Sequence, residues 1–186
     1  MSFGKRFLVW DGLQYSYPKE EIDKVKLLLV NKSDNPNPEY AHERDSGFDL
    51  RAWIQEDEDG VRIDKSDNVP YVVLKPLERR LIHTGLYMAV PEFCEVQVRP
   101  RSGLALKEGL TILNTPGTVD GGYRNEIGII VINLSNQKIT IKSGERIAQG
   151  VICPVYCKEL VEMRKVESLD ANTERGLDGF GSTNKN

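Results

Sequence analysis

The chain has 186 residues, 28% of them charged and 39% hydrophobic, with a net charge of -3. That balance excludes a disordered chain, and at roughly 150 residues per domain the length holds one domain with extensions. A mildly acidic protein is poorly suited to hold nucleic acid by bulk electrostatics, and no apolar run nears the ~20 residues that span a bilayer. Met1–Arg6 leads into only Phe7–Trp10 before Asp11. That is too short for the core of a signal peptide, so a cytosolic location is expected.

Residues 1–22 read as an aromatic, irregular extension, with a turn or two of helix possible from Pro18. Strands are then expected at Val25–Val30 and at Gly47–Trp53, where apolar and polar residues alternate. Residues 55–70 are acidic and turn-rich and read as an exposed hairpin insertion. Leu81–Val90 and Cys94–Arg99 read as strands parted by Pro91-Glu-Phe. Ser102 has the chemistry to cap one short helix. Ile127–Leu134 is nearly all apolar, as expected of a strand buried on both faces. Lys138–Lys142 and Arg146–Val155 complete the set. Many short strands punctuated by turns predict an all-β sandwich or barrel. A body over residues 23–163 is therefore followed by a polar linker and a Gly-rich tail over 164–186.

The cysteines, Cys94, Cys153 and Cys157, are odd in number and make no disulfide framework. In an extended strand Cys153 and Cys157 stand ~13 Å apart, too far to share a zinc. They read as structural, and His42 and His83 as surface or satisfied core residues.

Four segments carry chemistry. Arg101 and Ser102 follow a strand and open a helix, where free N–H groups favour an anion. Asn114–Gly128 reads as a hairpin with a Gly-rich tip. There Asp120 either orients and deprotonates a water or serves only as a turn former, and Tyr123 offers a wall for a sugar. Gln149 offers a neutral polar contact. Arg175-Gly-Leu-Asp-Gly-Phe-Gly-Ser-Thr183 is either a frayed end or an arm whose N–H and hydroxyl groups bind phosphate.

In order along the chain, Ser46–Ala52 with Asp49, Pro100–Ala105, Asn114–Gly128, Gly144–Gln149 and the tail resemble the five motifs of the trimeric dUTPases, over roughly residues 24–184. The resemblance implies a jelly-roll or distorted-barrel fold, a homotrimer with shared sites, and hydrolysis of dUTP to dUMP and pyrophosphate. That reaction keeps uracil out of DNA and supplies dUMP for thymidylate synthesis. It implies Asp120 as the carboxylate that activates water and Tyr123 under the deoxyribose. It implies Asn114 with backbone groups of Thr118, Val119 and Gly128 on the uracil edge. Arg101, Ser102, Gly103 and Gln149 would hold phosphates from the body. Arg175, Phe180, Gly181, Ser182 and Thr183 would do so from the arm, with Phe180 over the base. Magnesium would ride on the triphosphate, with Asp49 supporting it through water or through the phosphate-binding Arg. The expected partners are dUTP and further copies of the chain; nucleic acid and membrane are not expected.

The chain departs from the family pattern at Asp178 and Asn184 in the arm, and at Asn125, which suits a positive φ. The related dCTP deaminases would need a glutamate near position 130, where this chain has Ile130 between Ile129 and Val131. A jelly-roll binding protein without turnover would not need Asp120, Tyr123, Arg101 and Arg175 together. An extended linker over residues 164–174 would reach ~35 Å, enough to carry the arm to a neighbouring subunit.

Overall fold

The computed structural model describes residues 9–10, 15–16, 24–169, 173 and 176. The chain divides into two compact units, Met1–Val155 and Tyr156–Asn186. In the first, the elements are β1 (Val9–Trp10), β2 (Tyr15–Ser16), β3 (Leu28–Asn31), β4 (Gly47–Arg51), β5 (Arg62–Ile63), β6 (Pro70–Leu74) and β7 (Arg79–Ile82). They continue with β8 (Leu86–Ala89), β9 (Cys94–Pro100), α1 (Ser102–Glu108), β10 (Leu110–Ile112), β11 (Gly117–Val119), β12 (Ile129–Asn133), β13 (Ile139–Lys142) and β14 (Arg146–Pro154). In the second, the Leu160 N–H closes a turn on the Cys157 carbonyl at 2.9 Å.

The strands form small open sheets, ordered β11-β9-β14-β4, β10-β12-β7 and β13-β6-β5, with the pairs β3-β8 and β1-β2. The fold is jelly-roll-like, and no sheet among the described residues closes into a barrel. Alternation along the strands builds the core. Phe48 and Leu50 of β4, Val96 and Val98 of β9 and Val119 of β11 point inward. Ile82, Ile112, Ile129, Val131, Val72, Leu74 and Ile141 meet them in one buried cluster. Gly150 is the cross-strand partner of Phe48, and a Cβ there would lie 2.5 Å from the Phe48 ring. Cys94 packs against this cluster, and burial raises its thiol pKa. All three cysteines are free.

Several expectations are corrected. Leu81–Val90 is two strands, β7 and β8, because Gly85 turns the chain with φ 68. A Cβ at Gly85 would lie 2.7 Å from the Ser33 nitrogen. In β12, Ile129, Val131 and Asn133 are fully buried, but Ile130 and Ile132 are only half-buried. On the outer side of the β10-β12-β7 sheet, Leu81, Leu113 and Leu134 are exposed as well. Asn133 is tolerated inside because its amide donates to the carbonyls of Leu74 at 3.1 Å and Gln137 at 2.7 Å. Ser102 is not the cap of α1. Arg101 holds that position in an extended conformation, with no side-chain cap bond, and Gly109 ends the helix with φ 72. Asn125 is absent from the positive-φ residues; instead its Oδ1 accepts the Glu126 N–H at 2.8 Å. Strands β6 and β10 fell outside the expected set: Pro70 opens one and the other is three residues long, too short for a period-2 signal. Of the possible helical turn over Pro18–Lys24, residues 18–23 lie outside the described residues and Lys24 is not helical.

Candidate active site

The first group of predicted residues meets at the ends of β4, β9 and β14. Gln149 pairs with Asp49 on one side and Arg99 on the other. All three point away from the core, because Phe48, Leu50, Val98 and Ala148 take the inward positions. Arg101 follows β9 and Ser102 begins α1. Together with Gly47, Gly103 and Arg146 they line a cleft of about 460 Å³.

Asp49 organises this cleft. Its Oδ1 is 3.2 Å from Arg101 Nε and its Oδ2 is 2.9 Å from Arg146 Nη1. Arg101 Nη1 also donates to the Arg146 carbonyl at 2.9 Å. One carboxylate thus fixes two guanidinium groups by charge-assisted bonds and leaves their remaining N–H groups for an anion. The Gln149 amide donates to the Pro100 carbonyl at 2.9 Å. It needs a neighbour without a side chain, since a Cβ on Gly47 would lie 2.7 Å from its Oε1.

Within Gly144–Gln149, the residue type and spacing of Arg146 carry no signal of a role in the cleft. Three residues from Gln149, Arg146 would face the opposite side of a regular strand. The register of β14 shifts between Arg146 and Ala148, and Ile147 and Ala148 are both buried. This bulge returns Arg146 to the outer face. Only the pairing reveals it.

The second group lies between β10 and β12. The expected hairpin exists at its base, where Ile112 pairs with Val131. Its tip is not two-stranded. β11 pairs with β9 through Gly117↔Val98, Thr118↔Gln97 and Val119↔Val96. β11 is therefore an edge strand of that sheet, and its other edge offers backbone N–H and C=O groups. Asn114 and Thr118 are exposed, Val119 is buried and Gly128 is half-buried. Gly128 packs closely under Leu81: a Cβ there would lie 2.6 Å from Leu81 Cδ1 and would push that half-exposed side chain aside.

Asp120 is exposed and opens a tight turn, its carbonyl accepting the Tyr123 N–H at 3.0 Å. Arg124 Nη1 donates to the carbonyls of Gly121 at 2.8 Å and Tyr123 at 2.7 Å, stitching the turn. The Tyr123 hydroxyl donates to the Glu126 carbonyl at 2.7 Å, and the residue as a whole is 41% exposed. Glu126 is a second residue not singled out from the sequence; nothing in its spacing marks it.

One chain does not bring the two groups together. Asp120 follows Val119, which pairs with Val96 near the start of β9, whereas Arg101 follows the last residue of that strand. The strand rise separates them by about 20 Å. Arg175, Phe180, Gly181, Ser182 and Thr183, with Asp178 and Asn184, lie outside the described residues. Among the described residues no three His, Cys, Asp or Glu side chains gather as a metal shell.

A family model described as dUTPase matches residues 68–184. A Finegoldia magna protein named deoxyuridine 5'-triphosphate nucleotidohydrolase is 46% identical over 159 residues, covering 86% of this chain and 99% of its own. A protein of the same name from Caulobacter vibrioides is 49% identical over 151 residues, 81% of this chain and 87% of its own. Among solved structures, the dUTPase of a Staphylococcus bacteriophage, described with dUPNHPP, superposes with a TM-score of 0.67 at 28% identity. It covers 85% of this chain and 98% of that one.

Proposed function

The chain belongs to the dUTPase family, and we propose that it hydrolyses dUTP to dUMP and pyrophosphate by attack of water on the α-phosphorus. The observation that carries this reading is the pair of complementary half-sites: an arginine-lined cleft held by Asp49, and an exposed Asp120–Tyr123 turn beside the free edge of β11.

Each half has a task that its chemistry fits. The free β11 edge and Asn114 hydrogen-bond the uracil edge. Cytosine, with donor and acceptor exchanged at position 4, is rejected by the same fixed backbone. The Tyr123 ring lies under the deoxyribose and leaves no room for a 2′-hydroxyl. The Asp120 carboxylate accepts the hydrogen bond of the attacking water and aims its lone pair at phosphorus. Arg101, Ser102, Gly103 and Gln149 hold phosphate oxygens, with Arg146 bracing Asp49 from the other side. Three phosphates carry about four negative charges, so positioning and neutralisation matter more than a strong base.

Magnesium belongs to the substrate in this reading. Both Asp49 oxygens are engaged by arginine, and the described residues offer no carboxylate cluster. A cation held by the triphosphate fits these residues, and when bound it neutralises charge on the phosphate oxygens. The arm, with Arg175, Phe180, Gly181, Ser182 and Thr183, closes over the nucleotide and excludes water.

The working form is a homotrimer with sites shared between copies, acting in the cytoplasm. Two observations support sharing. Arg101 and Asp120 are too far apart in one chain to serve neighbouring phosphates. The outer face over Ile130 and Ile132, flanked by Leu81 at 50%, Leu113 at 47% and Leu134 at 59% exposure, is apolar enough to want a partner. Removal of dUTP keeps uracil out of DNA, and the dUMP formed feeds thymidylate synthesis.

Pyrophosphate release from dUTP, dCTP, dTTP and UTP with magnesium tests the reading. Release from dUTP alone is expected, falling at least ~100-fold in Asp120→Asn. A folded protein that binds dUTP and releases nothing would overturn it.

A further inference from the structure

Glu126 ties the Asp120–Tyr123 turn to a separate part of the body. Its Oε1 accepts the N–H groups of Thr84 at 3.1 Å and Gly85 at 2.8 Å. Its Oε2 lies 3.0 Å from His83 Nδ1. Its backbone carbonyl accepts the Tyr123 hydroxyl. The Glu126 side chain is only 17% exposed, so these bonds are shielded from water. Thr84, 1% exposed, adds a parallel stitch, its hydroxyl donating to the Ile127 carbonyl at 2.6 Å.

The receiving turn has little freedom of its own. Gly85 has φ 68, and a Cβ there would strike Ser33 and Trp53. Tyr123, by contrast, is 41% exposed. Its orientation rests on the backbone of its turn and on the hydroxyl bond to Glu126. Whatever fixes Glu126 therefore fixes the ring.

We propose that Glu126 is a positioning residue for Tyr123. By clamping the loop to the 83–85 turn it sets the depth of the ring, and with it the preference for a 2′-deoxyribose over a ribose. This inference rests on the reading of Tyr123 as the wall beneath the sugar. A wall that drifts by ~1 Å no longer collides with one added oxygen, and selectivity falls while the reacting atoms are untouched. His83 holds the second oxygen and keeps the carboxylate from rotating off the two N–H groups.

Two readouts test this. The first is amide hydrogen exchange over residues 120–127 without nucleotide. The second is the ratio of kcat/KM for dUTP over UTP. In Glu126→Ala, exchange should rise about tenfold or more and the ratio fall about tenfold or more, chiefly through KM. Glu126→Gln keeps an oxygen that accepts both N–H groups, and should stay within about threefold of wild type on both. If Glu126→Ala does not fold, Glu126→Asp serves: it keeps the charge but is one methylene short, and must show both losses. A folded Ala or Asp variant with wild-type exchange and ratio overturns the proposal, as does a Gln variant that falls as far as Ala. Tyr123→Ala separates the two readings. If exchange responds to Glu126 while the ratio ignores Tyr123→Ala, the sugar wall is wrong and the clamp stands.

Discussion

Arg101 and Asp120 stand at opposite ends of strand β9, one beyond Pro100 and the other beside the partner of Val96. Strand β9 holds the two about 20 Å apart in one chain, and the proposed shared site takes Asp120 from one copy and Arg101 from another. Arg101→Ala and Asp120→Asn proteins, each inactive alone, should therefore recover activity when unfolded, mixed in equal amounts and refolded together. Random assembly with independent sites restores about a quarter of the wild-type rate. Sites built within one chain would restore none.

Asp49 is the point on which both cleft arginines converge. In Asp49→Asn one guanidinium faces an amide N–H₂ instead of an oxygen, and the pair loses its common anchor. We expect kcat/KM for dUTP to fall roughly 10- to 100-fold, because the phosphate contacts lose their alignment. Stability should change by less than about 1 kcal/mol, since these ion pairs lie at a solvent-facing rim. Steady-state kinetics beside a thermal melt separate the two; an unchanged kcat/KM would sink the anchoring role.

Gly150 faces Phe48 across β14 and β4, with no room for a methyl group. Gly150→Ala should overpack the core and cost about 1–3 kcal/mol. At this chain length that lowers Tm by roughly 2–12 °C. Phe48→Leu in the same chain should return part of the loss, because the two changes share one space. Melts of the two single variants and the double variant, at one protein concentration, measure the coupling.

Glu145 precedes Arg146 and is held above the usual carboxylate range, first by burial and then by the Glu108 carboxylate nearby. A raised folded value means that the folded state holds this proton more tightly than the unfolded state. The charged form therefore costs stability above the folded value, and the cost disappears as pH drops below the usual glutamate range. Glu145→Gln should raise Tm slightly at pH 7, by roughly 1–2 °C for a partly exposed group. The two proteins should melt together in acid. A gain that persists in acid would show that the amide helps by some route other than charge.

The main strands, the all-β class and the order of the site motifs were legible in the chain itself. Strand alternation at Gly47–Arg51 and Ile139–Lys142 reports which face is buried, and that information is local. Asp120 between Val119 and Gly121, and Ser102 after Arg101, were likewise visible as residue types at a spacing. The missed features are those that depend on a partner distant in sequence. Arg146 joins the cleft through a bulge, seen only when β14 is laid against β4. Glu126 matters because residues 83–85, more than forty positions earlier, supply its donors.

The sequence by itself determined which residues carry charge, which alternate, and which can take a turn, because those are properties of a residue and its near neighbours. Tertiary structure alone decided that Asn114–Gly128 opens onto β9 rather than closing on itself, that Ile130 and Ile132 face outward, and that Arg101 and Asp120 are kept apart. Each of these depends on which strands pair, and pairing is settled by burying one shared core rather than by any segment's own preference.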